Sequence, residues 1–251
     1  MDSKWFRRLG PPGPSDPSLP GLVCFPHAGG AASAHSGLAR LLAPHLDVLG
    51  VQYPGRQDRR LEPPEPDITA LAVRIAARLM DGGGGPRFFF GHSMGALVAY
   101  ETARALRRSG APGPQRLFLS GRGAPARMPA PHDRLRGDAE ILAAVRRLGG
   151  TDAAVLDDPD LVDLVLPALR ADYLALGSYR WAPEPSLDTP VTVLVGSDDP
   201  VAPLDTAKEW SEHTAGESET LVFPGGHFYL NSQLDQVAAV IVERVAARPI
   251  S

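Results

Sequence analysis

Residues 88–95 read Phe-Phe-Phe-Gly-His-Ser-Met-Gly. The three bulky apolar residues predict the end of a buried strand, and Gly91-His92-Ser93-Met94-Gly95 fits the G-x-S-x-G pattern of a nucleophile elbow. The spacing has a steric origin. A strand turns sharply into a helix, and the serine at the apex takes a strained backbone conformation. Side chains at the two flanking positions would clash, so both are glycine. The turn leaves the Ser93 hydroxyl exposed above the N-terminus of the next helix. That helix is predicted over Ala96 to Arg108, rich in Ala, Leu and Arg, and stops before Ser109-Gly110. The bare pattern arises by chance in such a chain with a probability of roughly 0.2. The strand before it and the helix after it separate it from an ordinary Gly-Ser turn.

Strand and helix patterns extend outward from this point. Leu22 to Phe25 and Val48 to Gln52 read as strands, with a short helix over Ser36 to Leu42 between them. Ile68 to Met80 carries apolar residues at helical spacing and stops at Gly82-Gly83-Gly84-Gly85. Arg87 to Phe90 is the strand before the elbow. Arg116 to Ser120, Val191 to Val195 and Thr220 to Phe223 are further strands, and Val237 to Ala247 is a closing amphipathic helix. Strands alternating with helices predict an α/β fold with a mostly parallel central sheet covered on both faces. One stretch breaks the alternation. From Arg122 to Leu187 the pattern is helical (Asp138 to Leu148, Asp160 to Leu166, Ala168 to Tyr179), more than a single crossover needs. It predicts a helical insertion at 122–187 within a core made of 1–121 and 188–251, near the strand ends where ligands bind. Residues 10–20 form a proline-rich entry segment.

Composition narrows the class. The chain has 251 residues, 43% of them hydrophobic, enough for one substantial core. A net charge of −4 argues against general nucleic-acid binding. All but Lys4 and Lys208 of the 25 basic residues are arginine, as in GC-rich bacterial coding sequence. Cys24 is the single cysteine, so neither an internal disulfide nor a cysteine metal cluster can form, and its apolar surroundings predict a buried strand residue. No apolar segment follows Lys4, Arg7 and Arg8, and no run approaches a membrane span, so a soluble cytoplasmic protein is expected.

A nucleophilic serine needs a base, and the base needs an orienting acid. The α/β-hydrolase chain order is Ser, then Asp or Glu, then His. His213 falls within a helix expected over Asp205 to Ala215, as a solvated face residue. His227 follows a strand through Pro224-Gly225-Gly226 and is the expected base. Asp198 and Asp199 follow the strand that ends at Gly196. Asp199 is the preferred acid, with Asp198 directed into the turn, and Asp205 is expected to cap the next helix. Two backbone N–H donors must hold the developing oxyanion. Met94, after the serine, supplies one, and Ala28 of Phe25-Pro26-His27-Ala28-Gly29-Gly30 supplies the other. His27 precedes the serine and is read as structural.

Together these segments resemble the type II thioesterases that accompany modular polyketide and nonribosomal peptide synthetases. The resemblance runs from about Leu22 to Leu230. Besides the elbow and Cys24 to Gly30, it rests on Gln52-Tyr53-Pro54-Gly55-Arg56-Gln57-Asp58-Arg59, Ser120-Gly121-Arg122, Arg146-Arg147-Leu148-Gly149-Gly150-Thr151, Leu169-Arg170-Ala171-Asp172-Tyr173 and Phe223-Pro224-Gly225-Gly226-His227-Phe228. The Pro-Gly-Arg and Arg-Ala-Asp-Tyr segments are the more specific parts. The resemblance implies an α/β-hydrolase core with a mobile helical lid. It implies hydrolysis of stalled or wrong acyl groups held as thioesters on the phosphopantetheine arm of acyl or peptidyl carrier proteins. It supports Ser93, Asp199 and His227 as a triad with Ala28 and Met94 framing the oxyanion. No metal or dissociable cofactor, no nucleic acid and no membrane partner is expected, and a monomer is. The alternatives are a chain-releasing thioesterase, or another serine esterase or acyltransferase on the same fold. Arg56, Arg59 and Arg60 follow an early strand. They either dock an acidic carrier protein or bind the protein's own carboxylates.

Overall fold

In the computed structural model of the chain, residues 4–10, 18–82, 88–150 and 153–247 are described. Most of the proline-rich segment, most of the glycine run at 82–85, and Arg87 and Thr151 fall outside them. Seven strands make one sheet: β1 (Phe6–Leu9), β2 (Gly21–Phe25), β3 (Asp47–Val51), β4 (Phe88–His92), β5 (Arg116–Ser120), β6 (Val191–Gly196) and β7 (Ser218–Phe223). Their spatial order is β1-β3-β2-β4-β5-β6-β7. All neighbours pair in parallel except β1, which runs antiparallel to β3 at the edge. The inner strands are near-continuous apolar runs because both faces are covered. Val23, Phe25, Phe89, Leu117, Leu119 and Val193 face α2 (Ile68–Asp81) and α3 (Met94–Arg108), given their order after α1 (Ser36–Leu42). Leu22, Cys24, Phe90, Phe118 and Leu194 face α1 and the C-terminal helix. Cys24 is fully buried, which pushes its thiol pKa up.

Between β5 and β6 the chain forms two 3-10 turns, Pro125–Arg127 and Pro131–Asp133, then α4 (Asp138–Leu148), α5 (Ala153–Asp157) and α6 (Pro159–Ser178). Here the structure departs from the sequence reading. The two helices expected on either side of Pro167 are one helix of 20 residues. Proline removes a single N–H donor. Leu166, Ala168, Leu169, Ala171, Asp172 and Tyr173, buried on both sides of it, hold the axis together. Asp158 caps the helix, accepting from the N–H groups of Asp160 (2.9 Å) and Leu161 (3.4 Å), with Pro159 at the first position. Ile141, Val145, Leu156, Leu169 and Tyr173 make a small apolar cluster of their own, against which Ala28 packs.

After β6 come α7 (Leu204–Lys208) and a 3-10 turn, Glu209–His213, in place of the single helix expected to Ala215. Asp205 is not the cap; Pro203 occupies that position and Asp205 accepts from the Thr206 N–H in the first turn. The tightened turn rolls His213 inward. It is 5% exposed and its ring lies 4.9 Å from that of Trp181, so it is not a solvated face residue. The last helix, α8 (Leu230–Ala246), starts earlier than its apolar pattern, because Asn231 to Gln236 is largely polar and the helix kinks at Gln233. β1 was not read at all. Four residues with two arginines show no usable period; the arginines pair outward with Asp58 and Asp47.

The turn from β4 into α3 is the tightest place in the fold. Ser93 sits at φ 56°, ψ −119°, a region costing a non-glycine residue about 1–3 kcal/mol. A Cβ at Gly91 would stand 2.2 Å from the Gly95 carbonyl oxygen, and one at Gly95 would stand 2.0 Å from that of Phe25. Both partners are backbone of buried elements and cannot move aside. Gly95→Ala should therefore destabilise the fold by more than about 2 kcal/mol. Urea midpoints measure this; a variant as stable as the wild type would show that the β2 end can retreat.

A second consequence concerns pH. His35 lies buried at the N-terminal end of α1, its Nε2 3.2 Å from the Phe25 carbonyl and its ring edge-on to Phe90. Burial lowers its pKa to about 4, against the bond to Phe25, which raises it. Between about pH 6.5 and 4 the unfolded chain binds a proton here that the folded chain does not. This contribution is whole above the unfolded pKa and is lost as pH falls through that window, at up to about 1.4 kcal/mol per pH unit. Stability of the wild type should fall more from pH 7 to pH 5 than that of His35→Gln, whose amide does not titrate. Equal losses in the two proteins would mean that His35 is protonated in place.

Candidate active site

Ser93, His227 and Asp199 meet at the carboxyl ends of β4, β7 and β6. His227 Nε2 lies 2.9 Å from Ser93 Oγ, and its Nδ1 lies 2.9 Å and 3.0 Å from the two Asp199 oxygens. An ionised carboxylate can only accept, so Nδ1 carries the proton and Nε2 accepts from the serine. All three residues are at most 8% exposed. The Asp199 carboxylate also accepts from the backbone N–H groups of Val201 (2.8 Å) and Ala202 (3.2 Å). Asp198 points away and is exposed, accepting from the Ser197 hydroxyl.

Backbone contacts explain why two distant loops converge. A Cβ at Gly196 would stand 2.3 Å from the Gly226 carbonyl, so the end of β6 and the loop carrying His227 touch main chain to main chain. Ser197 N–H donates to the Phe223 carbonyl and Asp198 N–H to that of Gly225. Asp199 and His227 are thereby set by the sheet rather than by free loops.

Met94 opens α3, and its N–H has no partner within the helix. Ala28 lines the same small cavity as Ser93 and His227. The loop Pro26–Gly30 is closed by a bond from Gly30 N–H to the His27 carbonyl (2.9 Å). His27 packs edge-on to Phe228 and near His92. Burial, then the charges of His35, His227 and Arg56, lower its pKa to about 3, so it is neutral. His27 does not touch Ser93 through any hydrogen bond described.

Three neighbours escaped the sequence reading. His92, inside the elbow, lies tilted 5.0 Å from the His227 ring, and its Nδ1 lies 2.9 Å from Ser120 Oγ, which in turn meets the Tyr229 hydroxyl at 2.7 Å. Burial and then His227 hold its pKa well below the usual range, so no second charge stands beside the base. Phe228 is the second. It separates an open cleft of about 540 Å³, which does not include Ser93, from the small cavity that does. The third is Asp172, whose carboxylate pairs with Arg56 and accepts from Gly29 N–H at 2.7 Å. On the other side of Ser93 lies a chamber of about 180 Å³, bounded by Arg122, Arg147, Leu148 and Val201.

The arginines of the early loop bind the protein's own groups. Arg56 is buried against Asp172. Arg59, 2% exposed, donates to the Gln52 carbonyl and to Glu62, and lies 4.1 Å from the Trp5 ring centroid. Neither is free to meet a partner; Arg60 is exposed. No helix among the described residues is long and apolar enough to cross a membrane.

This arrangement has counterparts. Residues 20–245 match the family model described as a thioesterase domain. The chain is 45% identical over 237 residues to "Thioesterase PikA5" of Streptomyces venezuelae, covering 93% of this chain and 82% of that protein. It is 43% identical over 241 residues to the "Probable cadicidin biosynthesis thioesterase" of Streptomyces griseus, covering 96% of this chain and 66% of that one. The solved structure of the type II thioesterase BorB from the borrelidin biosynthetic cluster superposes with a TM-score of 0.86 at 42% identity, over 96% of this chain and 97% of that one. The fold is that of the α/β-hydrolase thioesterases, and the chain belongs to the thioesterase family, among its type II enzymes.

Proposed function

We propose that this protein is an editing thioesterase acting in the cytoplasm. It removes stalled or wrong acyl groups from the phosphopantetheine arm of acyl or peptidyl carrier proteins in natural-product assembly. The observation that carries the reading is the unbroken hydrogen-bond chain from Ser93 through His227 to Asp199. In this reading Ser93 Oγ gives its proton to His227 Nε2 and attacks the thioester carbonyl. The oxyanion forms between the N–H groups of Ala28 and Met94. Asp199 stabilises the imidazolium. The tetrahedral adduct collapses and the C–S bond breaks. The departing sulfur takes the proton from His227 Nε2 and leaves as the thiol, whose pKa of ~8.5 makes it a better leaving group than an alcohol, and His227 is neutral again. Water then enters, yields a proton to His227 and attacks the acyl-serine carbonyl. Collapse releases the free acid and returns the proton to Ser93. The segment 122–187 acts as a lid over a core of 1–121 and 188–251. The small size of the chamber beside Ser93 favours short acyl groups over the long chain of a releasing thioesterase.

Ser93→Ala should lower turnover of an acyl-carrier protein by at least about 10³-fold with the fold intact. A rate above a tenth of wild type would exclude Ser93 as nucleophile. Asp199→Asn should also cost about 10³–10⁴-fold in kcat, since an amide cannot hold the tautomer or stabilise the cation. Asp198→Asn should stay within about threefold of wild type. The reverse ranking would move the acid by one residue. Across carrier proteins loaded with acyl groups of increasing length, hydrolysis should fall as the chain outgrows the chamber. A preference for long chains would favour the chain-releasing alternative.

A further inference from the structure

Ala28 sits in a loop that the sheet alone does not fix. The loop is held at three places. Tyr53 donates its hydroxyl to the Pro26 carbonyl at 3.2 Å, and burial raises that phenol well above its usual range, so it stays a donor. Gly30 N–H closes the turn onto the His27 carbonyl. Between them, Gly29 N–H donates to Asp172 Oδ2 at 2.7 Å. Asp172 belongs to α6, far away in the chain. One helical turn earlier, Leu169 lies so close over Gly29 that a Cβ there would stand 2.6 Å from its Cδ2. Gly29 has φ +75°, so a side chain is excluded twice over. Arg56 meets the same Asp172 oxygen, donates to the Pro54 carbonyl at 2.8 Å, and lies over the Tyr53 ring at 5.0 Å.

We propose that Asp172 is a positioning residue for the oxyanion loop. It receives the N–H of the residue after Ala28 and is itself locked by Arg56, so the geometry of the oxyanion donor is set from the β5–β6 segment. The inference rests on the triad reading above and adds to it. An ion pair kept only for stability would need neither the bond to Gly29 nor the packing of Leu169 on it. Buried pairs can often be exchanged for apolar residues without loss of stability. A donor displaced by a fraction of an ångström, by contrast, loses much of its worth in the transition state.

The test uses the full-length protein with two ligands. An alkyl boronic acid forms a tetrahedral adduct on Ser93 and fills the oxyanion position. A pantetheine thioether lacking the carbonyl occupies the site without it. The double variant Arg56→Met with Asp172→Leu removes both charges and fills their volume. Its melting temperature should stay within a few degrees of wild type. Its kcat should fall about 10–100-fold, with KM changed less than about threefold. Boronate affinity should fall in step with kcat while thioether affinity holds. Wild-type kcat in a stable double variant would overturn the proposal. Should the double variant not fold, Asp172→Asn, which keeps volume and polarity, gives the same reading. A boronate-to-thioether affinity ratio equal to wild type would then overturn it. Failure of the triad reading looks different: wild-type protein would form no boronate adduct on Ser93, and Ser93→Ala would still turn over.

Discussion

The site depends on one contact, the backbone of the first turn of α3 lying against the backbone at the end of β2. At Gly95 the approach leaves no room for any side chain. Three things follow from it. The chain must leave β4 through a positive φ at Ser93, which lifts the hydroxyl out of the sheet. The first N–H of α3 ends beside the loop that carries Ala28, bringing together elements distant in sequence. And α3 lies close enough to the sheet to bury thirteen of its residues, from Met94 through Leu106. The strain at Ser93 is held because β4 is central, paired with β2 on one side and β5 on the other, and because Ser93 N–H donates to the Ser120 carbonyl at 2.8 Å.

Charge around this contact is arranged so that one imidazole is paired with a buried carboxylate. A buried carboxylate is costly unless its oxygens are occupied. Asp199 has two backbone donors besides His227, so its oxygens are occupied without drawing on any arginine. An arginine there would compete with His227 for the carboxylate. Several buried arginines find partners elsewhere: Arg122 forks onto Asp133, Arg104 pairs with Glu101, and Arg56 pairs with Asp172. The nearby rings of His27 and His92 are kept neutral by burial, so no second cation stands beside His227.

How much of this the sequence showed follows from which interactions are local. The elbow, the apolar stripe of α2 and the inner strands follow from spacing within a few residues, and they read correctly. Asp199 and His227 read through their place after strands, although roles assigned in this way describe proximity and not chemistry. Elements decided by tertiary packing did not read. Pro167 looked like a break because propensity weighs the lost N–H and not the buried residues on both flanks. His213 looked solvated because a helical wheel does not show a 3-10 turn. Asp172 and Arg56 stood in the most distinctive segments of the chain, yet nothing local says that they meet, since 116 positions separate them. For Arg59 the sequence left both a partner and the protein's own carboxylates open; Glu62 stands only three residues on, but the Trp5 ring becomes its neighbour only once β1 and β3 pair.

The same contacts limit how substrate can reach Ser93. The β5–β6 segment is tied to the core at both ends. Near its start Trp210 donates to the Arg122 carbonyl at 2.8 Å, and Arg122 is itself locked within the segment by a buried fork onto Asp133. Near its end the Tyr179 hydroxyl donates to Glu101 and Arg104 donates to the Ala182 carbonyl. α6 is tied a third time, through Asp172 and Leu169, to the loop carrying Ala28. Breaking a buried ion pair by moving one partner away is expensive, of order 3–5 kcal/mol. A motion that lifted α6 would incur that cost and also release the loop that carries Ala28. α4 and α5 are held differently. They meet α6 through a cluster of five apolar side chains, and their polar ties are at the surface, Arg146 to Asp157 and Arg170 to Asp138. Exposed pairs of this kind contribute at most about 1 kcal/mol each. Gly150 closes α4 against Phe228 with no room for a Cβ, at the partition between cleft and nucleophile. α4 and α5 are therefore held less firmly than α6.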